Sequence, residues 1–190
     1  MRVAGEPDDL QWALTAAQDG DEMGFEALWR AHNSHLTRFL QSRAYGSGID
    51  YEEVLADTWM SVARDVKKFT GSIGDFSGWL YTIARNRFID ATRRRDRQIK
   101  ASGDIQEAFW IPSSTNTERD FEASEGVKEI ITKINSLPEA QAEVLLLRVV
   151  GDRSVEETAK ILKKSANTVR VLAHRGLTTL REELGGDDGR

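Results

Sequence analysis

The sequence predicts an all-α protein, two helical domains joined by a flexible linker. Apolar residues recur at three- and four-residue steps over most of the 190 residues. No stretch alternates apolar and polar residues for long enough to support a sheet. Between about residues 98 and 133 the periodicity weakens into Ser102-Gly103, Pro112 and a run of Ser, Thr and Asn, which is linker chemistry. A chain that is 39% hydrophobic and 30% charged is expected to be soluble and globular. The longest aliphatic run is residues 144–147, so no membrane insertion is expected. The acidic N-terminus lacks an apolar signal segment. The absence of cysteine removes disulfides, thiolate metal sites and cysteine nucleophiles, and the expected location is cytoplasmic.

Phe25, Leu28, Trp29, His32, Leu36, Phe39 and Leu40 form one apolar stripe, a first helix running to about Arg43. Two glycines in residues 45–48 break it. Asp50 opens a second helix, with Glu53 three residues on as in a capping box, and Val54, Leu55, Thr58, Val62, Val66 and Phe69 are its buried face. Residues 70–75, with two glycines, read as a loop. A third helix from about Phe76 to about Arg97 buries Phe76, Leu80, Ile83, Ala84 and Ala91. Within the linker, Phe109-Trp110-Ile111 is an apolar segment expected to dock. Order returns with Ile134, Leu137 and Pro138, proline suiting the first turn of a helix from Glu139 to about Val150. Ser154 and Glu157 repeat the capping-box pattern before a short helix over residues 155–162. Lys163-Lys164-Ser165 is a turn, and a last helix covers about residues 166–184. The expected division is 10–97, a helical domain; 98–133, an acidic flexible linker; and 134–184, a smaller helical domain.

The net charge of −5 hides a segregation. Residues 1–26 carry one base and seven acids, and residues 101–129 two bases and seven acids. Residues 85–100 carry seven bases and two acids, and residues 160–181 six bases and no acid. Two basic blocks separated by an acidic stretch fit two contacts with one polyanion, or two ordinary solvated helix faces.

The short helix, tight turn and last helix have the helix-turn-helix pattern. Asn167, Arg170, Val171, His174, Thr178 and Arg181 share the outer face of the last helix, presenting guanidinium, amide and hydroxyl groups suited to a major groove. On the third helix Trp79, Asn86 and Arg93 lie seven residues apart and nearly superpose, with Arg97 on the same flank. An aromatic, an amide and guanidiniums in line resemble a single-strand platform; the plainer reading makes Trp79 core and the arginines solvated. The second helix carries acids instead and suits a basic protein surface.

An enzyme is not expected. His32 and His35 are spaced i, i+3, but His32 lies on the apolar stripe and neither these nor His174 has a carboxylate completing a metal set. Paired acids sit at helix ends, where capping and the dipole explain them. No glycine-rich phosphate loop follows a strand. No metal and no cofactor are expected.

Phe76-Ser-Gly-Trp79 through Arg93-Arg-Arg95 resembles the DNA-melting and minus-ten-reading segment of extracytoplasmic-function (ECF) sigma factors. Asp50-Tyr-Glu-Glu53 through Asp57-Thr-Trp59 resembles their polymerase-binding segment. Leu137-Pro138-Glu139, Val155-Glu-Glu157-Thr-Ala159 and Asn167-Thr-Val-Arg170 resemble their minus-thirty-five-reading domain. The resemblance implies a sigma region 2-like bundle and a sigma region 4-like helix-turn-helix domain. Its partners would be core RNA polymerase and promoter DNA, duplex upstream and single-stranded at the minus-ten element, with an anti-sigma protein as a further candidate. It assigns Asp50, Glu53 and Asp57 to polymerase binding and Trp79, Tyr81, Asn86, Arg93 and Arg97 to the minus-ten element. The 70–75 loop would shape the pocket for a captured base. Asn167, Thr168, Arg170, Val171, His174 and Arg175 would face the minus-thirty-five duplex. Leu172 stands where the family often has arginine, which implies packing there. The competing reading is a stand-alone helix-turn-helix regulator binding duplex DNA as a dimer, for which the Trp79–Asn86–Arg93 stripe has no use.

Overall fold

The computed structural model describes residues 10–102 and 124–185, and among them every regular element is helical. Phe109-Trp110-Ile111 and most of the expected linker lie outside the described residues.

α1 (Gln11–Asp19) packs on α2 (Glu22–Ala44), which Asp21 caps by accepting the Met23 N–H at 2.8 Å. The break after α2 is built on positive φ at Gly46 (72°) and Gly48 (68°), conformations that glycine adopts without a Cβ penalty. In α3 (Tyr51–Asp65) the Asp50 carboxylate caps the Glu52 and Glu53 N–H groups at 2.9 and 3.3 Å. The Glu53 side chain turns to α4 instead of closing the expected box. Val54, Thr58, Val62 and Val66 are buried as the stripe predicts.

α4 (Ile73–Ser102) begins three residues before the expected start and outlasts the expected end by five. Two contacts explain the early start despite Gly74. Asp75 accepts the Ser72 N–H and hydroxyl at 3.3 and 2.9 Å, and Gln11 Oε1 accepts the Ile73 N–H at 2.9 Å. The loop is thereby shortened to a few residues after Phe69.

α5 (Glu125–Ser136) occupies sequence read as linker, with Ser124 as N-cap and Ile131 and Ile134 buried. α6 (Glu139–Leu145) starts after Pro138 and widens into a π-turn over Leu146–Val150, where the Gly151 N–H reaches the Leu146 carbonyl at 2.9 Å. α7 (Val155–Leu162) has the full reciprocal capping box, 3.1 Å from the Glu157 N–H to Ser154 Oγ and 2.7 Å from the Ser154 N–H to Glu157 Oε2. Lys163 ends it in the left-handed conformation, φ 53° and ψ 45°. α8 (Ala166–Gly185) follows, its inner face burying Val169, Gly176 and Leu180. Leu177 and Leu184 are exposed.

α1 to α4 enclose one part of the core, around Leu28, Leu36, Leu40, Val62, Phe76 and Leu80. α5 to α8 enclose another, around Val144, Leu145, Leu147, Ile161 and Val169. The two units pack together, α7 against the start of α4 and the Leu146–Val150 turn against α2.

Candidate functional site

Three surfaces emerge from this scaffold. The first is acidic. Glu53 and Asp57 are spaced i, i+4 on α3 and both face Arg94 of α4, at 3.3 and 3.5 Å. Asp50 stands at the helix start, its carboxylate committed to capping. The pairs with Arg94 are solvent-exposed, so each is worth at most about 1 kcal/mol and is readily exchanged for another cation. Arg94 is a site residue the sequence reading missed. The signal was there, since two carboxylates one turn apart need a facing base and the adjacent helix supplies three consecutive arginines.

The second surface is the flank of α4. Asn86, Arg93 and Arg97 are exposed, and Asn86 and Arg93 line an open cleft of about 520 Å³ together with Ser61, Arg64 and Asp65 of α3. Within the cleft Arg87 Nε donates to Ser61 Oγ at 3.1 Å and Arg64 holds Asp65 at 2.8 Å. Trp79 is half-buried in an aromatic cluster, its ring centroid 4.8 Å from Phe69 and 5.7 Å from Phe76. His32 stacks beneath at 5.3 Å from Phe76. Burial, reinforced by Arg153 and His35, lowers its pKa from 6.5 to about 4, so the imidazole is neutral near pH 7. Trp79 is therefore both part of the packing and partly presented to solvent.

Tyr81 departs from its expected place beside Trp79. It is 1% exposed, packed on Phe39 at 5.1 Å, and its hydroxyl donates to the Gly151 carbonyl at 3.3 Å. The Arg153 guanidinium covers the ring at 5.1 Å, and burial pushes the phenol pKa up to about 12. The C-terminal unit thus closes Tyr81 off from any nucleic acid in this arrangement. A Cβ on Gly151 would lie 3.0 Å from Tyr81 Cε1, so only glycine permits the approach without a shift. Asp75, in the expected pocket loop, pairs with Lys160 of α7 at 3.3 Å, and the Ser72 hydrogen bonds lower its pKa.

The third surface is the outer face of α8. Asn167, Thr168, Arg170, Val171, His174 and Arg175 are all exposed there. The Thr168 N–H is held by Ser165 Oγ at 3.1 Å, fixing the helix entry. Arg170 makes an exposed pair with Glu156 of α7 at 3.1 Å. Leu172 is half-buried and packs against the core, as its apolar character implies. Such a face, with donors near a helix N-terminus, can enter a major groove. Among the described residues no group of three or more His, Cys, Asp or Glu side chains could hold a metal, and no helix is long and apolar enough to cross a membrane.

Comparison with known proteins agrees with this division. The Sigma-70 region 2 model matches residues 28–98, and the Sigma-70 region 4 model matches residues 128–180. The ECF RNA polymerase sigma factor SigE of Mycolicibacterium smegmatis is 32% identical over 84% of this chain and 61% of its own length. The ECF RNA polymerase sigma factor BldN of Streptomyces coelicolor is 27% identical over 90% of this chain and 64% of its own. The chain thus spans somewhat under two thirds of these two relatives. The sigma factor RpoE of Bartonella quintana, solved with the anti-sigma factor NepR, superposes with a TM-score of 0.69. The match covers 85% of this chain and 96% of that one at 23% identity, which establishes the fold. A stand-alone duplex regulator is not favoured by region models matching both units. With both matched in order along more than half its length, the chain belongs to the sigma-70 family.

Proposed function

We propose that the chain is a promoter-specificity subunit that directs core RNA polymerase, acts in the cytoplasm and carries no catalytic activity of its own. Residues 10–97 dock on the polymerase through Asp50, Glu53 and Asp57, and engage the minus-ten element through Trp79, Asn86, Arg93 and Arg97; Tyr81 joins them only where the C-terminal unit no longer covers it. Residues 134–184 read the minus-thirty-five duplex through Asn167, Thr168, Arg170, Val171, His174 and Arg175. The acidic stretch between Ser102 and Ser124 connects the two units, and its charge keeps it off DNA. An anti-sigma protein is a fitting regulator, since the relative of known structure from Bartonella quintana is bound to one.

The observation that carries this reading is the presence in one chain of an exposed amide–guanidinium flank beside a half-buried tryptophan and an acid-free recognition face after a tight turn. The first chemistry suits unpaired bases and the second a duplex. Run-off transcription with purified core polymerase on a panel of promoter fragments tests it. The expected result is transcript only when chain and core are combined. Tight binding of a symmetric duplex by the chain alone, as a dimer, with no transcript on any fragment, would overturn it.

A further inference from the structure

We propose that α1 is a brace for the Trp79 surface, with Gln11 and Gln18 as positioning residues that set how strictly the minus-ten element is read. The two glutamines are seven residues apart on α1 and so lie nearly one above the other on one face. Gln18 Nε2 donates to the Phe69 carbonyl at 2.8 Å, and Gln11 Oε1 accepts the Ile73 N–H at 2.9 Å. Only residues 70–72 lie between Phe69 and the start of α4 at Ile73, so each end of that short connection is gripped once. Behind the grips Ala13, Leu14 and Ala17 are buried, and α1 packs on α2 and on the turn of residues 66–68. The two amides are therefore carried by a fixed helix.

What the brace holds is the stack under Trp79. The Phe69 ring lies 4.8 Å from the Trp79 ring and meets Phe76 edge-on at 6.0 Å. It also folds back over its own connection, where a Cβ on Gly71 would lie 2.7 Å from Phe69 Cζ. The chemistry of each grip is fixed by its partner. A backbone carbonyl only accepts and an N–H only donates, so Gln18 must present its amide nitrogen and Gln11 its oxygen. Neither glutamine reaches the aromatic face itself. Each acts through the backbone that carries Phe69 to Trp79, and a surface that receives a ligand has to be held to within about 0.5 Å by such supporting bonds.

The consequence rests on the promoter reading above, in which Trp79 receives an unpaired base. Loosening one grip lets Phe69 and the first turn of α4 shift while the apolar face of α1 stays packed. The stack beneath the base is then less sharply placed, and a wrong base is tolerated relatively better. Stability and selectivity part company here. Loss of folded protein lowers the output of every promoter by one common factor, whereas a misplaced stack changes the ratio between promoters.

The test assembles the full chain with core polymerase and measures run-off transcription on a promoter it uses and on versions with single-base changes in the minus-ten element. The readout is the ratio of initiation on the used sequence to that on the changed ones. Gln18→Glu, which sets a carboxylate oxygen against the Phe69 carbonyl, and Gln11→Ala should each lower that ratio about two- to tenfold, the factor that one hydrogen bond represents. Gln11→Glu keeps an acceptor for the Ile73 N–H and should keep the parent ratio. Gln18→Ala replaces Gln18→Glu if circular dichroism shows that the charged variant fails to fold. Hydrogen exchange at the Ile73 amide should quicken in Gln11→Ala and not in Gln11→Glu. Unchanged ratios in the folded Gln18 variant and in Gln11→Ala, or equal losses in Gln11→Glu and Gln11→Ala, would overturn the positioning role. A parent chain that gives no transcript from any fragment, while Ile73 exchange responds as expected, sinks the promoter reading and leaves the brace standing.

Discussion

On α8 the six candidate DNA contacts stand on an exposed face, tied down only by the Arg170–Glu156 pair and the Ser165 turn. On α4, by contrast, Trp79 rises out of a cluster with Phe69 and Phe76 that belongs to the core. On the proposed function, the difference follows from what each surface would have to do. A duplex presents a finished groove, so a rigid helix can read it with side chains that support nothing else. An unpaired base must be held between flat surfaces that do not yield, and aromatic packing provides that stiffness. Binding and stability are therefore separable on α8 and entangled on α4.

Trp79→Ala should show the largest entanglement. It removes contacts with both phenylalanines, costing about 2–4 kcal/mol of stability for a half-buried tryptophan, somewhat less than for a fully buried one. It should also cut initiation on duplex promoters by one to two orders of magnitude, with partial recovery on a template opened at the minus-ten element. Thermal melts beside transcription assays check both. Equal loss on the two templates would reduce Trp79 to a packing residue.

Acidity should act on the same cluster. The folded pKa of His32, about 4, lies below the ordinary 6.5, so the unfolded chain binds the extra proton between those values. Stability should therefore rise with pH from about 4 to 6.5 and fall as pH drops through that window, by about 2–3 kcal/mol from this group. Urea melts at pH 7 and 4.5 should show a smaller difference in His32→Gln than in the parent chain. An unchanged difference would place the pH sensitivity elsewhere.

Arg170→Ala should behave in the opposite sense to Trp79→Ala. Binding to an upstream duplex should weaken by about 1–3 kcal/mol on intact and pre-opened templates alike, with stability unchanged within about 0.5 kcal/mol. A clear fall in melting temperature would show that α8 is not the free-standing surface described. The smallest effect is expected from Arg94→Ala. Stability should move by less than about 0.5 kcal/mol, while core affinity in a pull-down should rise as Glu53 and Asp57 lose their competing cation. Weaker binding would mean that Arg94 itself touches the polymerase.

Much of this was legible because it is local. The stripe from Phe25 to Leu40, the caps at Asp50 and Ser154, and the spacing of Trp79, Asn86 and Arg93 all follow from 3.6 residues per turn. α5 was legible in principle, since Val127, Ile130, Ile131 and Ile134 carry the helical step behind Ser124, but the polar chemistry before it masked the pattern. The start of α4 depends on Gln11, sixty-two residues away, and so has no local signature. The pairing of the buried Glu143 carboxylate of α6 with Arg85 and Arg43 joins side chains 58 and 100 residues apart. The only trace it leaves in the sequence is a glutamate set beside the apolar run of residues 144–147. Tyr81 illustrates the same limit, because its neighbours on the helix say nothing about the carbonyl of Gly151 that covers it.

Lys163 turns the chain between α7 and α8 with a left-handed backbone, where a glycine would sit more comfortably by roughly 1 kcal/mol. A side chain there carries the cost of strain, and what it brings is an ammonium group at the corner leading into α8, beside Lys164. The corner thus trades ease of folding for positive charge at the entry to α8. Lys163→Gly should yield a sturdier but less adhesive helix pair. In an engineering setting, and on the proposed reading of α8, this one position would act as a dial between shelf life and grip on DNA.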